Sequence, residues 1–523
     1  MITRVYTWAI SLLLLSSFYT QTAVAANDNI SENIVQTKQG KVRGTYERDV
    51  CVWRGIKYAK APLGDLRFRA PQPVESWIGV KDAVAFSPVA PQQESNLGTK
   101  GPQSEDCLAL NIWSPAADAK KRPVMVWIHG GGFVIGSGSS DLYYGANLAK
   151  KGDVVIVTIN YRLGPLGFLY FNNNKDFESN LGIRDQIAAL EWVKQNIAAF
   201  GGDPDLVTIF GESAGGTSVQ TLLATHSANG LFERAIAQSG PPALPWSTTI
   251  ADSITNIFLR ILKVSPNNLQ VLKHLPTDTL LAATKELEKY MIANMNDKVF
   301  SPTIDGELLT HDIFKCMKPE VGGIVPVLIG CNRNESSMFA SKRLKIAPNN
   351  AKDLEKYFDA VTTQESKTKV TTAYSKYPRK SAVLDILTDA VFRVPSIRLA
   401  ECRSLYAPVY MYRFEWSSFA LNISGLGSFH GLEIPFVFGN HEGKLGGLLK
   451  LIATKKLANR LTDQMQTAWL NFARYGNPNG KGEETWKPYT VDDRSTMIFS
   501  KESKLVKDPD AKQRAAWDGV VYY

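Results

Sequence analysis

The stretch Leu206-Val207-Thr208-Ile209-Phe210-Gly211-Glu212-Ser213-Ala214-Gly215 runs from consecutive apolar residues into a G-x-S-x-G turn. A helix-compatible segment, Ser218-Val219-Gln220-Thr221-Leu222-Leu223, follows it. A serine hydroxyl is a weak nucleophile and must stand clear of the sheet on a tight strand-to-helix turn, with small residues two before and two after it. The same turn aims the Ala214 N–H, at a helix N-terminus, toward an oxygen that becomes negative. A second element, His129-Gly130-Gly131-Gly132-Phe133, follows the strand-like Val124-Met125-Val126-Trp127-Ile128. Consecutive glycines let backbone N–H groups approach a carbonyl without β-carbons in the way. Ala214, Gly131 and Gly132 are therefore the candidate oxyanion-hole donors.

Further motifs occur along the chain: Trp53-Arg54-Gly55-Ile56-Lys57-Tyr58-Ala59, Leu66-Arg67-Phe68, Ser104-Glu105-Asp106-Cys107-Leu108, Tyr161-Arg162-Leu163-Gly164, Phe200-Gly201-Gly202-Asp203-Pro204 and Glu433-Ile434-Pro435-Phe436-Val437-Phe438-Gly439. With these, most of residues 34 to 523 resemble the type B carboxylesterases, the α/β-hydrolases that include the cholinesterases. The resemblance implies an α/β fold: a large, mostly parallel twisted sheet flanked by helices, with helical insertions around an active-site gorge. The residues point the same way. Short uninterrupted apolar runs at Val124–Ile128, Val154–Ile159, Leu206–Phe210, Ala235–Gln238, Val325–Ile329 and Val409–Phe414 read as strands buried on both faces. Ile183, Ile187, Leu190 and Ile197 mark one face of a helix packing on them. Residues 250 to 390, rich in Leu, Ala, Lys and Glu, read as the helical insertions.

Ser213 needs a base, and His226, His274, His311, His430 and His441 are candidates besides His129, which belongs to the glycine motif. The resemblance selects His430, in Phe429-His430-Gly431-Leu432-Glu433. It also selects Glu335, in Gly330-Cys331-Asn332-Arg333-Asn334-Glu335, as the acid that holds the imidazole in one tautomer. The order Ser213, Glu335, His430 is the order this fold uses. Asp305 is the competing carboxylate, in a segment that resembles a structural turn of the family. The activity implied is carboxylic-ester hydrolysis in two halves through an acyl-enzyme, on small to medium neutral esters. The resemblance also points to Glu212 and Ser239 as neighbours of the triad, and to Trp246, Met338 and Phe339 as pocket residues. It implies no cofactor, and the sequence holds no H-E-x-x-H or cysteine-histidine cluster for a metal. Two other readings stay open: a non-catalytic adhesion or binding protein on the same fold, and a lipase acting at interfaces.

A length of 523 residues with no linker or low-complexity tract favours a single domain over residues 26–523. Arg4, the apolar stretch Val5 to Tyr19, and Ala23-Val24-Ala25 describe a signal peptide over residues 1–25. The mature protein is expected to be exported, periplasmic or secreted, without a stable membrane anchor. A net charge of +9 is spread along the chain with no nucleic-acid motif, so nucleic acid is not an expected partner. Small-molecule esters are, and the oligomeric state is left open. Five cysteines, Cys51, Cys107, Cys316, Cys331 and Cys402, cannot all pair within a monomer. The resemblance would pair Cys107 with an upstream cysteine near Ala90-Pro91-Gln92-Gln93, where there is none; Cys51 is the only upstream alternative.

In cholinesterases the cationic alcohol rests on aromatic residues, one in the loop before S-E-D-C-L. Here Gln92 to Glu105 contains no aromatic residue, and the other position corresponds to Met338, with Phe339 next to it. Choline esters should therefore not be preferred. The expected kcat/KM for butyrylcholine stays within about tenfold of that for 3,3-dimethylbutyl butyrate, since each cation–π contact is worth roughly 0.5 to 2 kcal/mol. A larger preference for the charged ester contradicts this reading.

Overall fold

Apolar runs too short for helices and rich in Val and Ile form strands here, and their alternating side chains serve two separate cores. The structure is a computed structural model that describes residues 33–520 apart from 94–100, 173, 244, 295–298, 316–320, 322, 342–343, 345, 441–453 and 482–484. Toward the N-terminus lie β1 (Asn33–Gln36), β2 (Lys41–Glu47), β3 (Val50–Lys57), β4 (Val80–Asp82) and β5 (Ala109–Ser114). The middle of the chain supplies β6 (Arg122–Ile128), β7 (Val155–Ile159), β8 (Gly202–Glu212), β9 (Arg234–Gln238), β10 (Trp246–Ser247) and β11 (Thr303–Ile304). β12 (Val327–Asn332), β13 (Val409–Phe414), β14 (Ser495–Phe499) and β15 (Lys504–Lys507) complete the set.

The main sheet runs β1-β2-β3-β5-β7-β6-β8-β9-β12-β13-β14-β15, with β4 beside β2, while β10 and β11 pair separately. From β7 to β14 every neighbouring pair is parallel. The strands outside that block pair antiparallel, except β4 with β2. All six strands read from the sequence are present and lie in the parallel block. Two start later than expected, at Val155 and Val327. The latter follows Pro326, which has no N–H to give a ladder.

Along β6, Val124, Val126 and Ile128 join Val207, Ile209, Ala235 and Ile329 in one apolar cluster, under the helices Leu181–Asn196 and Ala214–Leu223. Met125 and Trp127 join Phe210, Ile236 and Leu328 in the cluster on the other face, under the helices Ala146–Gly152 and Lys455–Tyr475. Ile183, Ile187, Leu190 and Ile197 are all buried, as their spacing predicts. The expected insertions include helices Thr248–Leu262, Thr277–Asn294, Ala351–Val361, Gln364–Ala373 and Lys380–Thr388. The last three pack with Trp517 in a third apolar cluster.

The register places the site. Ile128 of β6 pairs with Gly211 of β8, Glu212 with Gln238 of β9, and Gln238 with Gly330 of β12. The strand order reverses at β6, with β7 on one side and β8 on the other, and such a switch point opens a crevice at the carboxyl edge. The residues just beyond these strands therefore lie side by side on one edge.

Cys51, Cys107, Cys331 and Cys402 are free thiols, so Cys51 is not the partner of Cys107; Cys316 lies outside the described residues. No helix of the described residues is long and apolar enough to cross a membrane.

A buried ion pair fixes the segment behind the glycine run. Arg162 donates to Asp185 from Nε (2.8 Å), Nη2 (2.7 Å) and its backbone N–H (3.0 Å), and from Nη1 to the Arg69 carbonyl (2.8 Å). Asp185→Ala strands a buried guanidinium and should lower unfolding stability by about 3–5 kcal/mol, read from urea midpoints. Replacing both partners by Met and Leu should cost less than Asp185→Ala alone. A loss below about 1 kcal/mol for the single variant would show that the pair does not hold this segment.

Candidate active site

Between β8 and the helix Ala214–Leu223 the chain has one residue in which to reverse, and Ser213 takes φ 58°, ψ −124° to do it. A β-carbon-bearing residue there carries about 1–3 kcal/mol of strain, which its neighbours must hold. Ser213 N–H donates to the Gln238 carbonyl at 2.9 Å, and Thr217 N–H donates to the Ser213 carbonyl at 2.9 Å. The small neighbours are required by contact: a β-carbon on Gly211 would lie 2.6 Å from the Gly215 carbonyl.

The glycine run lies against this elbow. A β-carbon on Gly130 would sit 2.6 Å from the Glu212 carbonyl oxygen and 3.0 Å from Ser213 Cβ. Gly131 and Gly132 have φ of 108° and 63°, conformations side chains resist. Their N–H groups meet no acceptor among the described residues. With Ala214 at the helix N-terminus, they are donors that can face an oxyanion. His129 behind them is buried: its Nδ1 lies 2.8 Å from the Gly130 carbonyl, and its ring stacks on Tyr161 at 4.4 Å. Burial lowers its pKa to about 4 despite that contact with the Gly130 carbonyl, so it is a neutral spacer at neutral pH.

Glu335, fully buried just past β12, receives three hydrogen bonds: from His430 Nδ1 (2.6 Å), Ser239 Oγ (2.6 Å) and the Asn332 N–H (2.6 Å). A carboxylate on Nδ1 leaves Nε2 as the basic nitrogen of neutral His430. That Nε2 lies 3.1 Å from Glu212 Oε1 and has no hydrogen-bond partner among the described residues. The imidazole is thus held on one side, and its other nitrogen is next to the residue preceding Ser213. Such an arrangement can accept a serine proton and return it to a leaving group.

Charge is concentrated here. Burial lowers the His430 pKa, but Glu212 and Glu335 outweigh burial and raise it from 6.5 to about 9. Glu212 is raised by burial, against the pull of His430, from 4.5 to about 8. Glu433 is also raised, by burial and by the Glu335 charge. It accepts from Asn332 Nδ2 (2.6 Å) and Gln238 Nε2 (3.2 Å), while Trp469 Nε1 donates to Gln238 Oε1 (2.9 Å).

Ser213, Glu212, Ala214, Gly131, Gly132, Glu335, His430 and Ser239 therefore converge. Phe339 joins them, its ring 5.0 Å from the imidazole. Met338 is partly buried and packs against the apolar cluster under the Lys455–Tyr475 helix, and Trp246 is buried in the cluster that also holds Ala214. Asp305 is occupied elsewhere, accepting from Asn180 Nδ2 and from the N–H groups of Glu307, Leu308 and Leu309. Among the described residues His226 and His311 make local surface contacts, with Asn229 and Thr310, and His441 lies outside the described residues, as do residues 94–100 of the loop before Glu105. Sequence reasoning missed Phe392, 5.2 Å from the imidazole, along with Gln238 and Asn332. The described residues contain no group of three or more His, Cys, Asp or Glu that could hold a metal ion.

Comparison with known proteins identifies the family of the chain. The model of the carboxylesterase family matches residues 31–517. A para-nitrobenzyl esterase of Bacillus subtilis is 39% identical over 491 residues, 93% of this chain and 98% of its own. A mouse cholinesterase is 34% identical over 92% of this chain and 86% of its own. Among solved structures, a Geobacillus stearothermophilus carboxylesterase superposes with a TM-score of 0.82 at 39% identity, covering 93% of this chain and 100% of its own.

The coupled carboxylates have a pH signature. A base works deprotonated, so kcat/KM should rise with pH through the titration of the His430 group, above the ordinary value near 6.5. Glu212→Gln removes one raising charge and should move this limb to lower pH by roughly one unit. Glu335→Gln should lower kcat by about 10²- to 10⁴-fold through loss of tautomer and charge compensation. A limb that stays in place in Glu212→Gln would contradict the coupling.

Proposed function

Because the chain belongs to the carboxylesterase family and is a carboxylic-ester hydrolase, we propose that Ser213, His430 and Glu335 carry its reaction on small to medium neutral esters. His430 Nε2 takes the Ser213 proton as Oγ attacks the ester carbonyl. The Gly131, Gly132 and Ala214 N–H groups hold the resulting oxyanion, each worth roughly 3 kcal/mol of barrier. The imidazolium then gives the proton to the departing alcohol, and water repeats the sequence on the acyl-enzyme. The observation that carries this reading is the buried Glu335–His430 hydrogen bond of 2.6 Å, with Nε2 left unpartnered among the described residues beside the serine elbow.

Residues 1–25 act, in this proposal, as a signal peptide, and residues 26–523 as a single exported domain. The motive is the sequence of the first 26 residues. Amino-terminal sequencing of protein recovered from the periplasm or medium should begin at Ala26 or Asn27. A retained Met1 would reject export by this route.

Purified protein should hydrolyse p-nitrophenyl acetate and butyrate. Ser213→Ala should reduce this by at least about 10³-fold while the unfolding midpoint stays within a few degrees. An organophosphonate should label Ser213 stoichiometrically, seen by peptide mass. Labelling of another serine, or a folded wild type inert to a broad ester panel, would overturn the assignment.

A further inference from the structure

At the edge of the sheet opposite Ser213, where β8, β9, β12 and β13 begin, lies an open cavity of about 490 Å³. β9 runs from Arg234 at this edge to Gln238 at the catalytic edge, roughly 13 Å of extended chain, so the cavity is separate from the triad. Its volume is in the range of small-molecule sites. Arg234 forms a polar wall, and Tyr475, Pro326, Pro408 and Ile324 form apolar ones. Tyr475 and Ile324 are exposed and border the mouth.

Arg234 is held differently from the other arginines of the interior. Arg67, Arg122, Arg162, Arg393 and Arg413 are buried against the carboxylates of Glu105, Asp118, Asp185, Asp389 and Asp510. Arg403, also buried, donates to the carbonyls of Gly323 and Val325. Arg234 is half-buried and makes no ion pair among the described residues; its hydrogen bond runs from Nη1 to the Ala473 carbonyl at 3.1 Å. Burial lowers its pKa, and the nearby Glu233 charge offsets this only in part. Glu233 is itself exposed, and Asp205, the other acid at the cavity, is paired with Lys194 Nζ at 2.7 Å. A guanidinium drawn out of water without a matching anion costs free energy, and here open space lies beside it.

The Nε–Nη2 edge of an arginine is the side that receives a carboxylate through two parallel hydrogen bonds. At Arg234 this edge faces Gly476, where a β-carbon would lie 3.2 Å from Nε and 3.9 Å from Nη2. Gly476 ends the helix Lys455–Tyr475 with φ 73°, a torsion that also favours glycine. The missing side chain leaves the edge uncovered from that direction. Lys481 Nζ stands 5.9 Å from the centroid of the Tyr475 ring, which brings a second positive charge to the mouth.

We propose that this cavity binds a small carboxylate with an apolar tail, the class of acid that ester hydrolysis releases. The carboxylate takes the Nε–Nη2 fork of Arg234, and the tail lies on Pro326, Pro408 and the Tyr475 ring. Inorganic phosphate would match the charge but leave those apolar walls in water. A neutral ester would leave the guanidinium without its anion.

The test keeps this cavity apart from the catalytic crevice. Protein blocked at Ser213 by an organophosphonate is titrated with sodium phenylacetate, phenylacetamide or inorganic phosphate at constant ionic strength, by ligand-observed NMR or, for phosphate, by competition with phenylacetate. Wild type should bind phenylacetate with a Kd of roughly 1 mM and the amide at least about tenfold more weakly. Arg234→Gln should bring phenylacetate down to the level of the amide, and Arg234→Lys, which keeps the charge but loses the fork, should lie between. Tyr475→Ala, at the surface, should weaken phenylacetate by about threefold and serves if Arg234→Gln fails to fold. Equal binding of acid and amide, unchanged binding in Arg234→Gln, phosphate binding as tightly as phenylacetate, or no binding by folded wild type would each overturn the proposal. If the phosphonate does not label Ser213, the acyl-transfer reading fails, while the dependence on Arg234 still decides this site.

Discussion

A single buried carboxylate joins the parts of the site. Glu335 has no exposed surface, and burying a charge without partners would cost several kcal/mol. Its three donors come from three places: Asn332 at the end of β12, Ser239 just past β9, and His430 on the loop after β13. Leaving any of them out would weaken the compensation of that charge. The neighbouring strands must therefore end in register, and the His430 loop must close over them. The register that pairs Glu212 with Gln238, and Gln238 with Gly330, is the sheet's side of that requirement.

Three carboxylates and one imidazole share this dry edge, and they cannot all be treated independently. Glu212 faces Nε2 and Glu335 faces Nδ1, so the ring that must become cationic during the reaction is electrostatically prepared for it. The cost is a resting site in which burial works against every charge. Burial and the neighbouring carboxylates raise Glu212 and Glu433, and the amides of Asn332 and Gln238 anchor Glu433. The amide network prevents Glu433 from becoming an unpaired buried acid.

Much of this was legible because it depends on local chemistry. A strand ending at Glu212 and a helix beginning at Ala214 leave Ser213 no ordinary conformation, and the small residues around it are the trace of that constraint. The glycines of residues 130–132 are equally visible, since side chains would collide with the elbow or resist its torsions. The partners of Ser213 were harder. Nothing within His430's own segment distinguishes a base from a surface histidine, and only the resemblance selected it. Phe392 left no local signal, because a phenylalanine in a helical stretch ordinarily packs in a core. What sets it apart is the π-helical turn Asp389–Arg393, whose bracing groups Tyr374 and Trp517 are distant in sequence. Trp246 is buried in the same apolar cluster as Ala214, since a tryptophan has enough apolar surface to be held by a core.

The two sides of His430 divide the work between charge and shape. Carboxylates contact its two nitrogens and govern proton affinity, whereas phenyl rings lie within 5.2 Å of its ring and carry no net charge. An apolar border also raises the cost of bringing water to Nε2 from that direction, which strengthens the Glu335–His430 interaction by lowering the local dielectric. Enlarging or thinning that border would therefore act on the proton affinity of the base. Because the rings and the carboxylates meet at one imidazole, the apolar packing around His430 and the pH at which the base becomes available are physically coupled.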